Sequence, residues 1–223
     1  MRRLPTFAAL IALVVCGAPP ARAASETDEL VEKSRFTAEK MLSHPDFPTL
    51  RQWMKNAHGV IIVPSLLKAG FFIGGEGGNG VLLGRDIYGN WSYPAFYSIG
   101  SASLGLQIGV QDSEVMFVIM TERGLNAVIN NQVKLGADAS IALGPKGAGI
   151  EGATTTALNA DIYSFSMTRG LFGGVSFEGS LVYKRDDWNQ QYYGRPVAPR
   201  EIVIERKVSN PHAEPLRAAL IVR

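Results

Sequence analysis

Apolar side chains recur with a helical period between residues 25 and 57. This stretch contains no glycine, and its apolar or small residues return every three or four positions, which is the spacing of one helix face. Ser25 and Asp28 have the spacing of a capping box at the start of a first helix. Pro45 is expected to end that helix, and Pro48 suits the start of a second one. The pattern predicts a helical hairpin.

After His58 the pattern changes to short apolar runs that are separated by glycine. Of the 24 glycines, 22 lie between Gly59 and Gly179, and glycine at that density breaks helices but fits tight turns and closely packed strands. Alternation of apolar and polar residues over 104–110 and 161–166 predicts antiparallel strands. The predicted fold class is therefore α+β, with the helical hairpin packed on a glycine-rich antiparallel β-sheet or barrel-like body.

Local signals add three elements to this picture. The tripeptide Tyr88-Gly89-Asn90 predicts a hairpin turn. Thr121 can cap one internal helix that continues to about Asn130. Beyond residue 196 the prolines limit regular structure, so we expect a short strand over 202–204 and then a loose tail.

The first residues have the order of a secretory signal peptide. Two arginines precede an apolar run over 7–15, and small residues surround the expected cleavage point after Ala23. The expected organisation is a signal peptide over 1–23, an N-terminal helical segment over 24–58, a β-rich body over 59–205 and a C-terminal tail over 206–223. The chain is therefore expected to be exported, to the periplasm or in association with an outer membrane.

Cys16 is the only cysteine and lies inside the expected signal peptide. Cleavage after Ala23 removes it, which would leave no disulfide, cysteine ligand or cysteine nucleophile. The alternative is lipidation of Cys16, although Val15 is larger than the residue that usually precedes a lipidated cysteine. No later run reaches about 18 uninterrupted apolar residues, so no transmembrane helix is predicted.

The charge balance argues against a nucleic-acid partner. The full sequence has 22 Lys and Arg against 20 Asp and Glu, for a formal charge of +2. Cleavage after Ala23 removes three arginines, which leaves 22 − 3 = 19 basic residues against 20 acids and a charge of −1. Without a net positive charge the electrostatic footprint of nucleic-acid binding is missing.

No motif in the sequence predicts catalysis, a metal or a cofactor. Residues 75–80 have the letters of a dinucleotide-binding glycine motif, but an apolar run follows where that motif needs a helix, so we interpret them as a glycine-rich hairpin. Residues 144–149 lack the Gly-Lys-Ser/Thr order of a phosphate loop. The three histidines, His44, His58 and His212, lie far apart beside proline or glycine. We therefore expect a protein that is not an enzyme.

Two surfaces remain as candidates for binding. The helical segment carries five cations among nearby acidic residues, namely Lys33, Arg35, Lys40, Arg51 and Lys55. They could form a lipid-binding face or an ordinary solvated helix face. Trp188, Tyr192 and Tyr193 could form a platform for carbohydrate or a membrane interface, or they could cover the core.

Seven sequence blocks in the body occur in an order that resembles the SYLF domain family. They are GVIIVP at 59–64, KAGFFIGG at 68–75, GNGVL at 78–82, GNWSYPA at 89–95, GLQIG at 105–109, LGP at 143–145 and YSFSMTRGLFGGVSFEG at 163–179. Together with the helical hairpin the resemblance covers the chain to about residue 204.

The resemblance implies a non-enzymatic, lipid-binding module. Eukaryotic members of the family bind phosphoinositides through a basic amphipathic N-terminal segment, and a yeast relative also binds and bundles actin. Bacterial members are typically exported, so actin is an unlikely partner for this chain, and anionic phospholipid is the expected one. The N-terminal helix departs from the eukaryotic pattern because glutamates balance its lysines.

The leading hypothesis is weak binding of anionic phospholipid or phosphoinositide-like headgroups by a protein peripheral to the bacterial envelope. Its candidate residues are the five helix cations, together with Lys68 and Arg169, which is the only basic group of the block over 163–179. The alternative is a structural or protein-interaction module of the periplasm or outer membrane, with an envelope protein as partner at Trp188, Tyr192 and Tyr193. No cofactor is expected with either function.

Overall fold

An eight-stranded curled sheet forms the body of the protein, and helices lie against it. The computed structural model describes residues 25–70, 73–104, 109–130, 132–144, 159–170 and 177–222. The strands are β1 Gly59–Gly70, β2 Ile73–Gly84, β3 Ala95–Leu104, β4 Gly109–Ile119, β5 Val133–Lys134, β6 Ile141–Leu143, β7 Ile162–Gly170 and β8 Leu181–Lys184. The helices are α1 Glu26–Ser43, α2 Leu50–Asn56, α3 Glu122–Asn130, α4 Asp186–Tyr193, α5 Pro199–Val203 and α6 Glu214–Ala219.

The strand order across the sheet is β5-β8-β3-β2-β1-β4-β7-β6. All neighbouring strands pair antiparallel except β6 and β7, which pair parallel. The α+β prediction is confirmed, but a purely antiparallel sheet is wrong at this edge. The parallel pair arises because the chain leaves β6 at one end of the sheet and enters β7 at the other, as parallel neighbours require.

The helical hairpin at the N-terminus is confirmed. The Ser25 Oγ accepts a hydrogen bond from the Asp28 amide at 3.2 Å, and the Asp28 carboxylate accepts one from the Ser25 amide at 3.2 Å. Helix α1 ends at Ser43, directly before His44 and Pro45, as expected. Helix α2 begins at Leu50 and is short.

Helices cover both faces of the sheet near the start of β1. Val60 and Ile62 belong to a core shared with α1, α2, α4 and α6, whereas Ile61 and Val63 belong to a second core shared with α3 and α5. A strand that is buried on both faces has a continuous apolar run rather than an alternating one. This explains the uninterrupted run at the start of β1.

The glycine-rich stretch over 75–80 is not a hairpin, because it lies inside strand β2. Its glycines permit close contact with β1, whose register shifts between Ile62 and Ser65. A Cβ at Gly78 would lie 2.4 Å from the Ser65 carbonyl oxygen, and one at Gly80 would lie 2.5 Å from that of Ile62. Side chains other than hydrogen would force these strands apart.

The turn and the internal helix are confirmed. Gly89 has a φ of 88°, the left-handed conformation that favours glycine, and the Asp86 amide donates to the Asn90 carbonyl at 3.0 Å. Thr121 Oγ1 accepts from the Gly124 amide at 3.0 Å and caps α3. The alternating run over 161–166 lies at the start of β7, whereas that over 104–110 falls at the end of β3 and the start of β4, with 105–108 outside the described residues.

The expectation of a strand over 202–204 and a loose tail is wrong. Ile202 and Val203 lie in helix α5, which begins with Pro199 at a position where proline favours a helix. The segment after α5 includes α6, which packs against α1 and buries Leu216. The Trp91 Nε1 donates to the Leu220 carbonyl at 3.0 Å. Burial of this amphipathic segment against α1 outweighs its proline content.

Candidate functional site

Two cations of helix α1 are paired with carboxylates on the same helix. The Lys33 Nζ lies 2.7 Å from Glu29, and the Arg35 guanidinium lies 2.6 Å from Glu32 and 2.8 Å from Glu39. The hydrogen bonds that Arg35 donates to Glu32 and Glu39 raise the pKa of its guanidinium above the ordinary value. The balance of lysines and glutamates in the sequence is therefore a set of ion pairs, which reduces the positive field of this helix.

The third cation of α1, Lys40, forms an ion pair with a carboxylate on the sheet. The Lys40 Nζ lies 2.7 Å from Glu114 Oε1 on β4, and both side chains are largely covered, with exposed fractions of 36% and 20%. The contact joins residues that are far apart in sequence. Lys40 therefore links α1 to the sheet.

Helix α2 presents the two cations that are not neutralised in this way. Arg51 and Lys55 are exposed and four residues apart, and neither forms an ion pair with any residue that the structure describes. Residues four apart on a helix lie on the same side of it. Of the predicted cations on the helical hairpin, these two have the most available charge.

A third cation, Arg85, lies at the end of α2 and was not found by sequence reasoning. Its backbone amide donates to the His58 carbonyl at 2.9 Å, and its Nη1 donates to the Lys55 carbonyl in the last turn of the helix. This guanidinium satisfies a carbonyl that a helix end leaves unpaired. We call Arg51, Lys55 and Arg85 the α2 edge.

The signal that could have located Arg85 is strand pairing. Gly59 at the start of β1 pairs with Gly84 at the end of β2. The residue after Gly84 must therefore lie beside the residue before Gly59, which is where α2 joins the sheet. The glycine pattern at 75–80 predicts a hairpin there rather than one continuous strand, so the sequence pattern does not predict this pairing.

Lys68 and Arg169 lie away from the α2 edge, near the opposite end of the sheet. Lys68 is nine residues along β1 from Gly59, which corresponds to about 30 Å at the usual rise of a strand. It pairs with Gln111 of β4, and the backbone of Arg169 pairs with the adjacent Asp112. The Arg169 side chain is outside the described residues. The seven predicted cations therefore do not form one continuous surface.

The aromatic residues of α4 pack mainly against strand β3. Tyr192 is buried, and its burial raises the pKa of the phenol above the ordinary value. The Tyr193 hydroxyl donates to the Pro94 carbonyl at 2.7 Å. Trp188 is half-buried, with its ring 6.1 Å from that of Phe96. Of the two roles considered for these rings, the geometry favours covering the core, and Trp188 retains an accessible part.

Two clefts border the N-terminal helices. One, of about 410 Å³, lies between α1, α4 and the β1–β2 pair and is lined by Lys33, Trp188 and Asn79 among others. The second, of about 390 Å³, is lined by Trp53, Tyr163 and neighbouring residues. Ser65 also lines the first cleft, and its hydroxyl donates to the Asp112 carboxylate at 2.7 Å.

Next to the second cleft, a buried carboxylate organises the start of α3. Asp161 accepts hydrogen bonds from Thr121 at 2.6 Å, from the Ser140 hydroxyl at 2.8 Å and from Arg123 at 2.6 Å. Burial would raise the pKa of Asp161, but the hydrogen bonds from Thr121 and Ser140 outweigh it and lower the pKa below its ordinary value. With these partners the carboxylate is structural.

Within the described ranges, no three His, Cys, Asp or Glu residues lie together in a way that could hold a metal ion. Among the helices over the same ranges, none has the length and apolar character to span a bilayer.

Comparison with known proteins identifies relatives over most of the chain. SH3 domain-containing YSC84-like protein 1 of Xenopus laevis is 32% identical over 161 residues, which are 72% of this chain and 48% of that protein. Protein YSC84 of Saccharomyces cerevisiae is 31% identical over 166 residues, 73% of this chain and 35% of that protein. The human YSC84-like protein 1 is 30% identical over 169 residues, 75% of this chain and 49% of that protein.

This chain therefore spans half or less of the length of these relatives. A family model described as Ysc84, Las17-binding protein actin regulator, matches residues 100–221, which is more than half of the chain. The match begins within β3 and includes strands β4 to β8 and helices α3 to α6. The resemblance to the SYLF family is confirmed, and the chain belongs to the Ysc84 (SYLF) family.

Proposed function

We propose that this chain is a non-enzymatic module that binds anionic phospholipid headgroups at a membrane surface. We further propose that it is exported with cleavage after Ala23 and acts peripherally at the bacterial envelope. The observation that carries the lipid proposal is the exposure of Arg51 and Lys55 without ion-pair partners among the described residues.

The strength of this binding follows from the number of available cations. Each Lys or Arg near an anionic membrane surface contributes about 1 kcal/mol. The α2 edge therefore contributes about 3 kcal/mol, which is weak and sensitive to salt. The cations of α1 contribute less because the field of each is offset by a carboxylate within 3 Å. Guanidinium groups such as that of Arg51 also suit the oxygens of a phosphate.

The experiment is co-sedimentation of the chain from Ala24 onward with neutral and anionic vesicles at low and high salt. We expect pelleting with anionic vesicles that high salt reverses. Arg51→Gln with Lys55→Gln should remove most of the salt-dependent pelleting while the circular dichroism spectrum is unchanged. The matched control is Lys33→Gln with Lys40→Gln, which removes the same charge from paired positions and should retain most of the binding. Equal losses in both double variants would reject the α2 edge as the site.

A second candidate is a protein-interaction module. The relatives carry names such as LAS seventeen-binding protein 3, so binding to another protein is a reasonable function for this fold. For an exported chain the partner would be an envelope protein rather than actin. The accessible part of Trp188 beside the first cleft is the observation that favours this function. Binding that persists at high salt, ignores lipid charge and is lost in Trp188→Ala would support it.

A further inference from the structure

The turn that joins β2 to β3 exposes two large apolar side chains at its tip. Ile87 is 92% exposed and Tyr88 is 83% exposed, more than any other large hydrophobic residue that the structure describes. Turn positions usually carry small or polar residues. Two adjacent apolar side chains at such a tip therefore need a reason beyond turn formation.

The backbone of the turn is fixed by its own hydrogen bonds. The Asp86 carboxylate accepts from the Tyr88 amide at 2.9 Å and from the Asn90 amide at 2.8 Å. Gly89, in the left-handed conformation, donates to the Asp86 carbonyl at 3.0 Å. Ile87 and Tyr88 are therefore exposed on a turn whose backbone is held by these hydrogen bonds.

The guanidinium groups of two arginines contact the turn. The Arg206 guanidinium donates to the Asn90 carbonyl at 2.8 Å and lies 3.1 Å from the Asp86 carboxylate. Burial would raise the pKa of Asp86, but hydrogen bonds from Asn90 and the charge of Arg206 lower it below the ordinary value. On the other side, the Arg85 guanidinium lies between Gly89 and the Lys55 carbonyl.

The contact through Arg85 places the apolar tip beside the α2 edge. The same end of the molecule thus presents two apolar side chains and, next to them, the exposed cations Arg51 and Lys55. Proteins that bind membranes from one side commonly place apolar and aromatic side chains in the headgroup boundary while nearby cations contact anionic lipid. The positive charge around the tip favours an anionic bilayer over an apolar protein groove as the occupant.

We propose that Ile87 and Tyr88 insert into the interfacial layer of an anionic bilayer while Arg51 and Lys55 contact the lipid phosphates. This inference rests on the proposed lipid-binding function. It adds how deeply the protein enters the bilayer and which end of the protein faces the membrane. The tyrosine ring suits the interface because it has an apolar body and a polar hydroxyl. The end of the sheet where β1 begins at Gly59, next to α2, then faces the membrane.

The test uses single cysteines, since Cys16 is the only native one and precedes Ala24. In the chain from Ala24 onward, Ile87→Cys and Tyr88→Cys are each labelled with an environment-sensitive fluorophore. The matched control is Glu178→Cys, an exposed turn position beside Gly179 near the other end of β3. Vesicles of phosphatidylcholine and phosphatidylglycerol in equal amounts are added to each. Labels at 87 and 88 should shift to the blue and increase in intensity, and the label at 178 should not.

A second measurement uses unlabelled protein. Ile87→Ser with Tyr88→Ser should lower partitioning onto the same vesicles by about tenfold because the inserted apolar area is lost. The remaining binding should keep its salt dependence, whereas Arg51→Gln with Lys55→Gln should remove the salt-dependent part. Both Ile87 and Tyr88 are exposed, so these changes should leave the free energy of unfolding unchanged.

The outcomes separate this inference from the function on which it rests. If the unmodified chain pellets with anionic vesicles but labels at 87 and 88 do not respond, the insertion is wrong and the electrostatic binding stands. If the unmodified chain does not pellet at all, both are wrong. A response at 178 equal to that at 87 would also overturn the proposed orientation.

Discussion

Lys40 on helix α1 and Glu114 on strand β4 form an ion pair, with 2.7 Å between the Lys40 Nζ and Glu114 Oε1. The residues are 74 positions apart in sequence, so no local pattern predicts the pair. It changes the interpretation of Lys40 from a candidate for lipid binding to a link between the helical hairpin and the sheet.

Replacement of Lys40 should therefore affect stability more than binding. We expect Lys40→Gln to lower the free energy of unfolding by about 1 kcal/mol, since the pair is partly covered. Lys33→Gln should lower it by less than about 0.5 kcal/mol, because the pair with Glu29 is exposed. Urea unfolding measures both. Loss of vesicle binding in Lys40→Gln with unchanged stability would return Lys40 to the binding surface.

The close contact between β1 and β2 gives a second prediction. Gly78→Ala should lower the free energy of unfolding by about 2 kcal/mol or more, because its Cβ would lie 2.4 Å from the Ser65 carbonyl oxygen and the strands must shift. Gly77→Ala is the control on the same strand. Its Cβ would lie 4.0 Å from the nearest atom, the Ile99 carbonyl oxygen. That variant should be neutral or stabilising, and similar losses in both would contradict the explanation.

Two adjacent tyrosines of α4 provide a matched pair for the third prediction. The Tyr193 hydroxyl donates to the Pro94 carbonyl, whereas the buried Tyr192 hydroxyl has no hydrogen-bond partner among the described residues. Tyr193→Phe should cost about 1 kcal/mol of stability, and Tyr192→Phe should be neutral or slightly stabilising. Thermal unfolding would show this difference. If Tyr192→Phe were the more destabilising of the two changes, the explanation by hydrogen bonding of the hydroxyl groups would be wrong.

The fold was predictable wherever the signal is local. The capping box at Ser25, the stop at Pro45 and the left-handed glycine at Gly89 all depend on residues within one turn of each other, and each lies where the pattern predicts. The error at Ile202 and Val203 has the opposite origin. Their β-branched side chains favour a strand, but burial against the second core and the proline at the start of α5 favour the helix.

The candidate site was predictable in its residue types but not in its grouping. Arg51 and Lys55 are visible as a pair because a helix repeats every three to four residues. Arg85 lies close to Lys55 because β1 pairs with β2. The turn that exposes Ile87 is held by hydrogen bonds to the Asp86 carboxylate. The pairs of Lys33 and Arg35 on α1 are local, but the pairing of Lys40 with Glu114 depends on a contact between distant segments that the sequence alone does not reveal.

The buried carboxylate of Asp161 predicts a pH dependence of stability. Its folded-state pKa lies below the ordinary value of 3.8, so the unfolded chain binds the proton more tightly than the folded protein does. The stabilisation is therefore present above about pH 4 and is lost as the pH falls through the folded-state pKa. Asp161→Asn should lower the free energy of unfolding by about 2 kcal/mol at neutral pH, because hydrogen bonds from Thr121, Ser140 and Arg123 lose their charged acceptor.

The difference between the native protein and Asp161→Asn should shrink as the pH is lowered from 7 to below the ordinary pKa of 3.8. Chemical unfolding at a series of pH values measures it. The control is Asp46→Asn, whose side chain is 66% exposed and whose replacement should change stability by less than about 0.5 kcal/mol. A constant difference between native protein and Asp161→Asn across this range would mean that the carboxylate stays charged or neutral throughout. In that case its hydrogen bonds, rather than its ionisation, would account for the stabilisation of α3.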